Sequence, residues 1–234
     1  MPEAFEYEER YRVDDPKAAV KAVEAAGFAQ TGDETQIDHW FIPKRIMSPQ
    51  EQAQWFDFES GYALRIREET TLSGTRTLIT AKQLLVPGDH SAMTNNEDLL
   101  NTENAHRILQ LMGEEFADAV QALEAHTVPE LTYDEAKQLI ESAGRKEYIT
   151  IDKERRTFAN ADAPEVVIDI DVIPDLRGKK LGFYAAIEFE YKGTGTVKKA
   201  EQAVQKIAKK LGHDPDEKLA KALPGLAIPY LAKF

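Results

Sequence analysis

Charged residues recur in this chain at i, i+2 spacing, and the pairs are sorted by sign. Glu6/Glu8, Asp169/Asp171 and Glu188/Glu190 are acidic pairs, Arg65/Arg67 and Lys153/Arg155 are basic pairs, and Lys82 stands alone. In a strand, residues two apart share a face. A single strand with one charged face is most simply a wet surface strand. Solvated faces more often mix signs, because like charges side by side repel. Segregated pairs in several strands therefore point to a shared interior that takes both a metal and an anion. Arginines bind phosphate oxygens bidentately through charge-assisted hydrogen bonds. Clustered carboxylates suit Mg²⁺ or Mn²⁺, which prefer oxygen ligands and can activate water for attack on phosphorus. Cations gathered in this way would repel one another strongly without the anion.

Alternation and turn residues define the elements that must position these groups. Phe5–Val13 reads as a strand with Phe5, Tyr7, Tyr11 and Val13 on one side and Glu6, Glu8, Arg10 and Arg12 on the other. Asp15-Pro16 opens a helix that ends at Gly27. A turn-rich piece, Thr31 to Glu34, precedes a strand from Gln36 to Pro43. Residues 44–59, with Trp55 and Phe56, read as a connection, and 62–82 as a hairpin turning at Ser73-Gly74. Residues 86–97 are polar and read as a loop before helices at 98–112 and 114–126. Thr132 and Glu135 predict a capping box for a helix ending at Gly144. Strands follow at Tyr148–Phe158, Val166–Val172 and Phe183–Tyr191. A loop with Pro174 and Gly178 joins the last two. Helices at 197–211 and 215–223 precede an apolar end, 224–234. The helices ending at Gly27 and Gly144 echo each other and suggest two related halves.

Composition limits the partners. The chain has 234 residues, 42% of them apolar and 30% charged, a net charge of −12 and no cysteine. Such a charge argues against nonspecific binding to nucleic acid or anionic membranes, but not against a small polyanion in a locally basic site. Thiolate chemistry, disulfides and zinc–sulfur sites are excluded. No signal peptide or membrane span is evident, so the cytoplasm is the expected location.

The motifs resemble those of the CYTH family, the triphosphate tunnel metalloenzymes. Glu6-x-Glu8-x-Arg10 is similar to the family's ExExK signature, with Arg for Lys. Gln36-x-Asp38-x-Trp40-Phe41 resembles its second strand, Ala63 to Arg67 its LRxR strand, and Leu78 to Lys82 its LTxK strand. Lys153-x-Arg155 resembles its KxR strand. Asp169-Ile170-Asp171, and Leu181-Gly182 through Glu188-Phe189-Glu190, resemble its closing acidic strands. Aligned from Leu181-Gly182, Ala186 falls where the family has its first closing glutamate. A two-residue slide gives Glu188/Glu190 on the same face.

The resemblance implies an α+β fold: an eight-stranded antiparallel β-barrel, the triphosphate tunnel, with helices packed outside. It implies a tunnel domain over 1–193 and a helical extension, 194–234, packed on the same domain. Arg10, Arg65, Arg67, Lys82, Lys153 and Arg155 would bind a small-molecule triphosphate. Glu6, Glu8, Glu188, Glu190 and an aspartate, Asp171 before Asp169, would hold Mg²⁺ or Mn²⁺. Glu6, Glu8, Arg10, Lys82 and Asp171 would carry catalysis. The implied function is hydrolysis of triphosphate compounds, inorganic triphosphate first. The alternatives are a class IV type adenylate cyclase and a binding module without turnover. A homodimer is compatible with this reading.

Other features carry less. Gly193-Thr194-Gly195-Thr196 reads as a helix start capped by Thr196 rather than a phosphate loop. His39 reads as a strand-surface histidine. Trp40, Trp55 and Tyr62 could stack on an organic ring. The lysines of helix 197–211 read as the solvated face of a docked helix.

Overall fold

Every described strand finds an antiparallel partner on both sides, and the result is a closed barrel. A computed structural model describes residues 5–45, 48, 63–86, 89–126, 129–173 and 184–219. The strands are β1 (Glu6–Val13), β2 (Ala29–Pro43), β3 (Ala63–Thr71), β4 (Gly74–Val86), β5 (Asp89–Leu99), β6 (Arg145–Ala159), β7 (Val166–Ile173) and β8 (Tyr184–Tyr191). Their order around the barrel is β1-β5-β4-β3-β2-β6-β7-β8, closing back on β1.

Five α-helices lie among the described residues: α1 (Pro16–Ala25), α2 (Thr102–Leu111), α3 (Ala117–Glu124), α4 (Tyr133–Ser142) and α5 (Val197–Lys210). Their ends follow local chemistry. The Asp15 carboxylate accepts from the amides of Lys17 and Ala18, and Pro16 takes the first turn. Gly27 stops α1 with a φ of +91°. Thr132 and Glu135 form the capping box of α4. Thr196 caps α5 by accepting from Lys199 N.

The barrel is polar inside and apolar outside. One cluster packs α1 and α5 on β1, β7 and β8, joining Val23, Val204 and Ala208 to Tyr11, Ile168 and Phe189. A second packs α2, α3 and α4 on β3 and β4, around Ile108, Phe116 and Ile140 against Ile66 and Ile79. The helices therefore bury the outward faces of the strands, and the charged faces are left to meet inside. The two 15-residue strands β2 and β6, each following one of the echoing helices, pair along nearly their whole length.

Several expectations are corrected. The loop expected at 86–97 is overturned from Asp89 onward: Asp89–Leu99 is β5, which pairs with β4 from Leu78 to Val86, while Pro87 and Gly88 lie outside the described residues. Thr94 to Asp98 are polar on both faces, so the strand lacks apolar alternation and rests on the ladder of a closed barrel. The turn-rich Thr31 to Glu34 lies within β2, where the register against β6 shifts between Gln30 and Gly32, a bulge around Thr31. The helix expected from 98 starts at Thr102, capped by Asn101. The helix expected at 215–223 is, as far as it is described, one 3₁₀ turn, Pro215–Glu217. Arg12 leaves the charged interior and stands exposed at the mouth, 3.6 Å from Asp14. Trp55, Phe56, Tyr62, Pro174, Gly178, Leu181 to Phe183 and 220–234 lie outside the described residues.

Candidate active site

Ten of the twelve residues expected to carry chemistry line the lumen, and the other two, Asp169 and Asp171, are held by Arg155. Glu6, Glu8, Arg65, Arg67, Lys153, Asp169, Asp171, Glu188 and Glu190 are each buried. Arg10, Lys82 and Arg155 have only 12% of their side chains exposed. Strand alternation aims them inward, while the apolar neighbours of each pair face the helices.

The basic residues reach acids on nearby strands, while at the β1–β8 and β7–β8 seams acids face acids, Glu8 opposite Glu190 and Asp169 opposite Glu188. Arg67 donates to both oxygens of Asp38, from Nε at 2.6 Å and Nη2 at 3.0 Å. Arg65 donates to Asp38 at 3.3 Å and to Glu97 at 2.6 Å, and its guanidinium lies 5.3 Å from the Trp40 ring centre. Arg155 spans Asp171, Asp169 and Glu188, with donors at 2.7, 2.7 and 3.2 Å respectively. Lys153 donates to Asp171 at 3.1 Å. Arg10 donates to Glu188 at 2.7 Å and Lys82 to Glu6 at 3.0 Å. The expected repulsion among crowded cations is thus corrected: neighbouring strands supply the counter-charge, as a low-dielectric interior requires.

Four glutamates at the β1–β8 seam fall into two interacting pairs, Glu8 with Glu188 and Glu6 with Glu190. Burial and the neighbouring Glu188 push the Glu8 carboxyl up to about 8. Burial would raise Glu188 too, but Arg10 and Arg155 hold it well below the usual carboxylate range. The same division separates Glu190, pushed up by burial and Glu6, from Glu6, which Lys82 and Glu190 bring down to about 2 against burial. Two like charges in a dry site cannot both ionise freely, so each pair divides into one raised and one lowered carboxyl.

A divalent cation would offset the mutual repulsion of these carboxylates. All four donors are hard oxygens, which fits Mg²⁺ or Mn²⁺. No group of three or more ligating side chains is already gathered for a metal among the described residues. The fit lies in the excess carboxylate charge of the seam. Asp169 and Asp171, expected as further ligands, lie beneath Arg155, and Asp171 has both oxygens engaged by Arg155 and Lys153.

Sequence reasoning passed over Asp38, Glu97, Asn95 and Lys192, which line the same space. Asp38 was quoted in a motif but is a lone acid, without an i, i+2 partner of its sign. Glu97 and Asn95 lie in the stretch read as a loop. Lys192 follows β8 and pairs with Glu190. The lumen holds about 120 Å³ of free space, and Trp40 and Met93 are its apolar lining residues.

The sequence matches the model of the CYTH domain over residues 4–223. The chain belongs to the CYTH family. Solved structures share this CYTH chain's fold. PH1819 from Pyrococcus horikoshii OT3 is 17% identical with a TM-score of 0.63, covering 98% of this chain and 99% of that one. PH1012 from the same organism is 16% identical with a TM-score of 0.61, over 94% and 98%. A candidate adenylate cyclase from Vibrio parahaemolyticus is 16% identical with a TM-score of 0.58, over 97% and 99%. At these identities the likeness is one of fold. No curated protein matches the CYTH sequence. No described helix is long and apolar enough to cross a membrane.

Proposed function

We propose that this CYTH protein is a metal-dependent hydrolase of triphosphate compounds, with inorganic triphosphate as substrate. The observation that carries this reading is the lining of the lumen. Seven basic residues, Arg10, Arg65, Arg67, Lys82, Lys153, Arg155 and Lys192, share it with a glutamate cluster at one seam. Pockets that hold drug-sized ligands offer roughly 300–1,000 Å³ with mostly apolar walls. This lumen is narrower and mostly charged, with Trp40 and Met93 as its apolar lining, which suits a bare polyphosphate better than a nucleotide.

The mechanism is mainly positioning and charge stabilisation, as phosphoryl transfer demands. Arg65, Arg67, Lys153 and Arg155 take phosphate oxygens in place of their internal carboxylates. Arg10 and Lys82 flank the reacting end beside the glutamates. Glu6, Glu8, Glu188 and Glu190 would hold Mg²⁺ or Mn²⁺, which supplies Lewis-acid activation of water when bound. A carboxylate of the Glu8–Glu188 pair accepts the proton of the attacking water. The new bond forms between water oxygen and the terminal phosphorus, and the bridging P–O bond breaks. Pyrophosphate leaves with the bonding electrons, stabilised by the arginines.

The test offers the purified protein inorganic triphosphate or ATP with Mg²⁺ or Mn²⁺ and identifies the products. Orthophosphate and pyrophosphate from triphosphate support the proposal. Cyclic AMP and pyrophosphate from ATP would replace it with a cyclase. Tight binding without any product would leave a binding module.

A further inference from the structure

The barrel has one thin seam. Strand β1 pairs with β8 from Tyr7 through Val13, but with β5 only at Glu6↔Met93 and Tyr7↔Ala92. Beyond Tyr7, the strand that carries Glu8 and Arg10 has no barrel neighbour on its β5 side among the described residues. The segment after α5 occupies this edge. Leu219 N donates to the Arg10 carbonyl at 2.8 Å, a strand-like bond from outside the sheet. Lys218 bridges the two sides: its ammonium donates to Ser91 of β5 at 3.1 Å and lies 3.8 Å from Glu9 of β1.

Glu9 is the anchor point. It lies on the outward face of β1, opposite to Glu8 and Arg10, and its side chain is wholly buried. The hydroxyls of Tyr7 and Tyr11 donate to its two oxygens at 2.8 and 2.7 Å, and Gln205 of α5 donates at 3.1 Å. His213 packs on Tyr11 and Phe189, with ring centres 4.9 and 5.6 Å away, and fixes where the segment leaves the helix. A buried carboxylate bound this fully is costly to disturb, so β1 cannot shift without breaking the set.

We propose that residues 213–219 are a strap that holds β1 in register across its thin seam, and that Lys218 and Glu9 are positioning residues for the lumen. They act through the backbone. The next residues along β1, Glu8 and Arg10, point inward, and Lys82 reaches Glu6 across the same seam at 3.0 Å. A small slide of β1 would misplace the glutamate cluster against the basic cradle, a displacement to which catalysis is sensitive. The catalytic consequence rests on the triphosphatase reading; the strap itself does not.

The test compares full-length Lys218→Met, Lys218→Arg and Glu9→Gln with the unaltered chain. Hydrogen exchange is read at the amides of β1 and of β7, and turnover of inorganic triphosphate is followed with Mg²⁺. Lys218→Met is expected to speed exchange over Glu8–Arg12 about tenfold, the factor set by one charge-assisted hydrogen bond, with β7 unchanged. Turnover should show a lower kcat at near-constant KM, and Lys218→Arg should restore both readouts. Unchanged β1 exchange in both Lys218→Met and Glu9→Gln overturns the strap, as does faster exchange shared equally by β7. If the unaltered chain does not hydrolyse triphosphate, the exchange result still decides the strap, while the hydrolase reading falls separately.

Discussion

Arg67 grips both oxygens of Asp38, and neither partner reaches bulk water: the two residues are 7% and 1% exposed. Burial alone would raise the Asp38 carboxyl, yet Arg65, Arg67 and Lys153 hold it far below the usual range. Asp38 is thus the shared counter-ion at the centre of the basic cradle. Asp38→Ala should cost about 3–5 kcal/mol, because it strands buried cations. Added triphosphate should recover more stability in this variant than in the unaltered chain. Urea denaturation with and without triphosphate measures both effects.

Glu8→Gln should fold normally. The Glu8 carboxyl, raised to about 8, is largely protonated at neutral pH, and an amide has nearly its shape and charge. Metal-dependent turnover should fall about 10²–10³-fold, the range for losing a group that stabilises the transition state. Mn²⁺ titration calorimetry should show weaker binding. Undiminished turnover and affinity would remove Glu8 from the metal site.

Arg155→Lys keeps the charge and loses the fork. Arg155 holds Asp171 by two nitrogens and Asp169 by a third, a geometry that an ammonium cannot reproduce. Triphosphate affinity should drop about tenfold, corresponding to about 1.4 kcal/mol. Calorimetric titration of the metal-free protein isolates this effect from turnover.

Half-buried Glu34 beside buried Glu69 gives a pH dependence away from the glutamate seam. The Gln36 amide donates to both Glu34 and Glu69, and Arg76 also pairs with Glu69. Burial and Glu69 push the Glu34 carboxyl up to about 7. Below pH 4.5 Glu34 is protonated in both states and contributes nothing. As pH rises from 4.5 to 7, the unfolded chain releases this proton while the folded chain keeps it, so stability falls. Above 7 the loss is complete and constant. Glu34→Gln should lack this decline, so its stability advantage should grow between pH 5 and 8. Denaturation midpoints at both pH values test the sign.

The sequence exposed what depends on period two. Glu6/Glu8, Arg65/Arg67 and Lys153/Arg155 could be read because each pair repeats one sign on one face, and the apolar alternation beside them marked the strands. The capping box of α4 and the Gly27 stop were legible because they are local. Contacts such as Arg10–Glu188, 178 residues apart, leave no local trace. Strand β5 was missed because neither face of Thr94 to Asp98 is apolar. Glu9 was missed because a buried acid on an apolar face breaks the pattern; the flanking tyrosines at positions 7 and 11 were its one signal.

The internal pairing of the lumen has a consequence for how it meets an anion. A surface patch sheds bulk counter-ions when it binds phosphate, and its affinity falls steeply with salt. In this tunnel the cations are already paired with carboxylates of the chain itself, like a resin whose exchangeable ions are tethered to it. If the lumen takes polyphosphate as proposed, the anion would displace Asp38, Glu97 and Asp171 rather than dissolved anions, and affinity should change little between low and moderate salt.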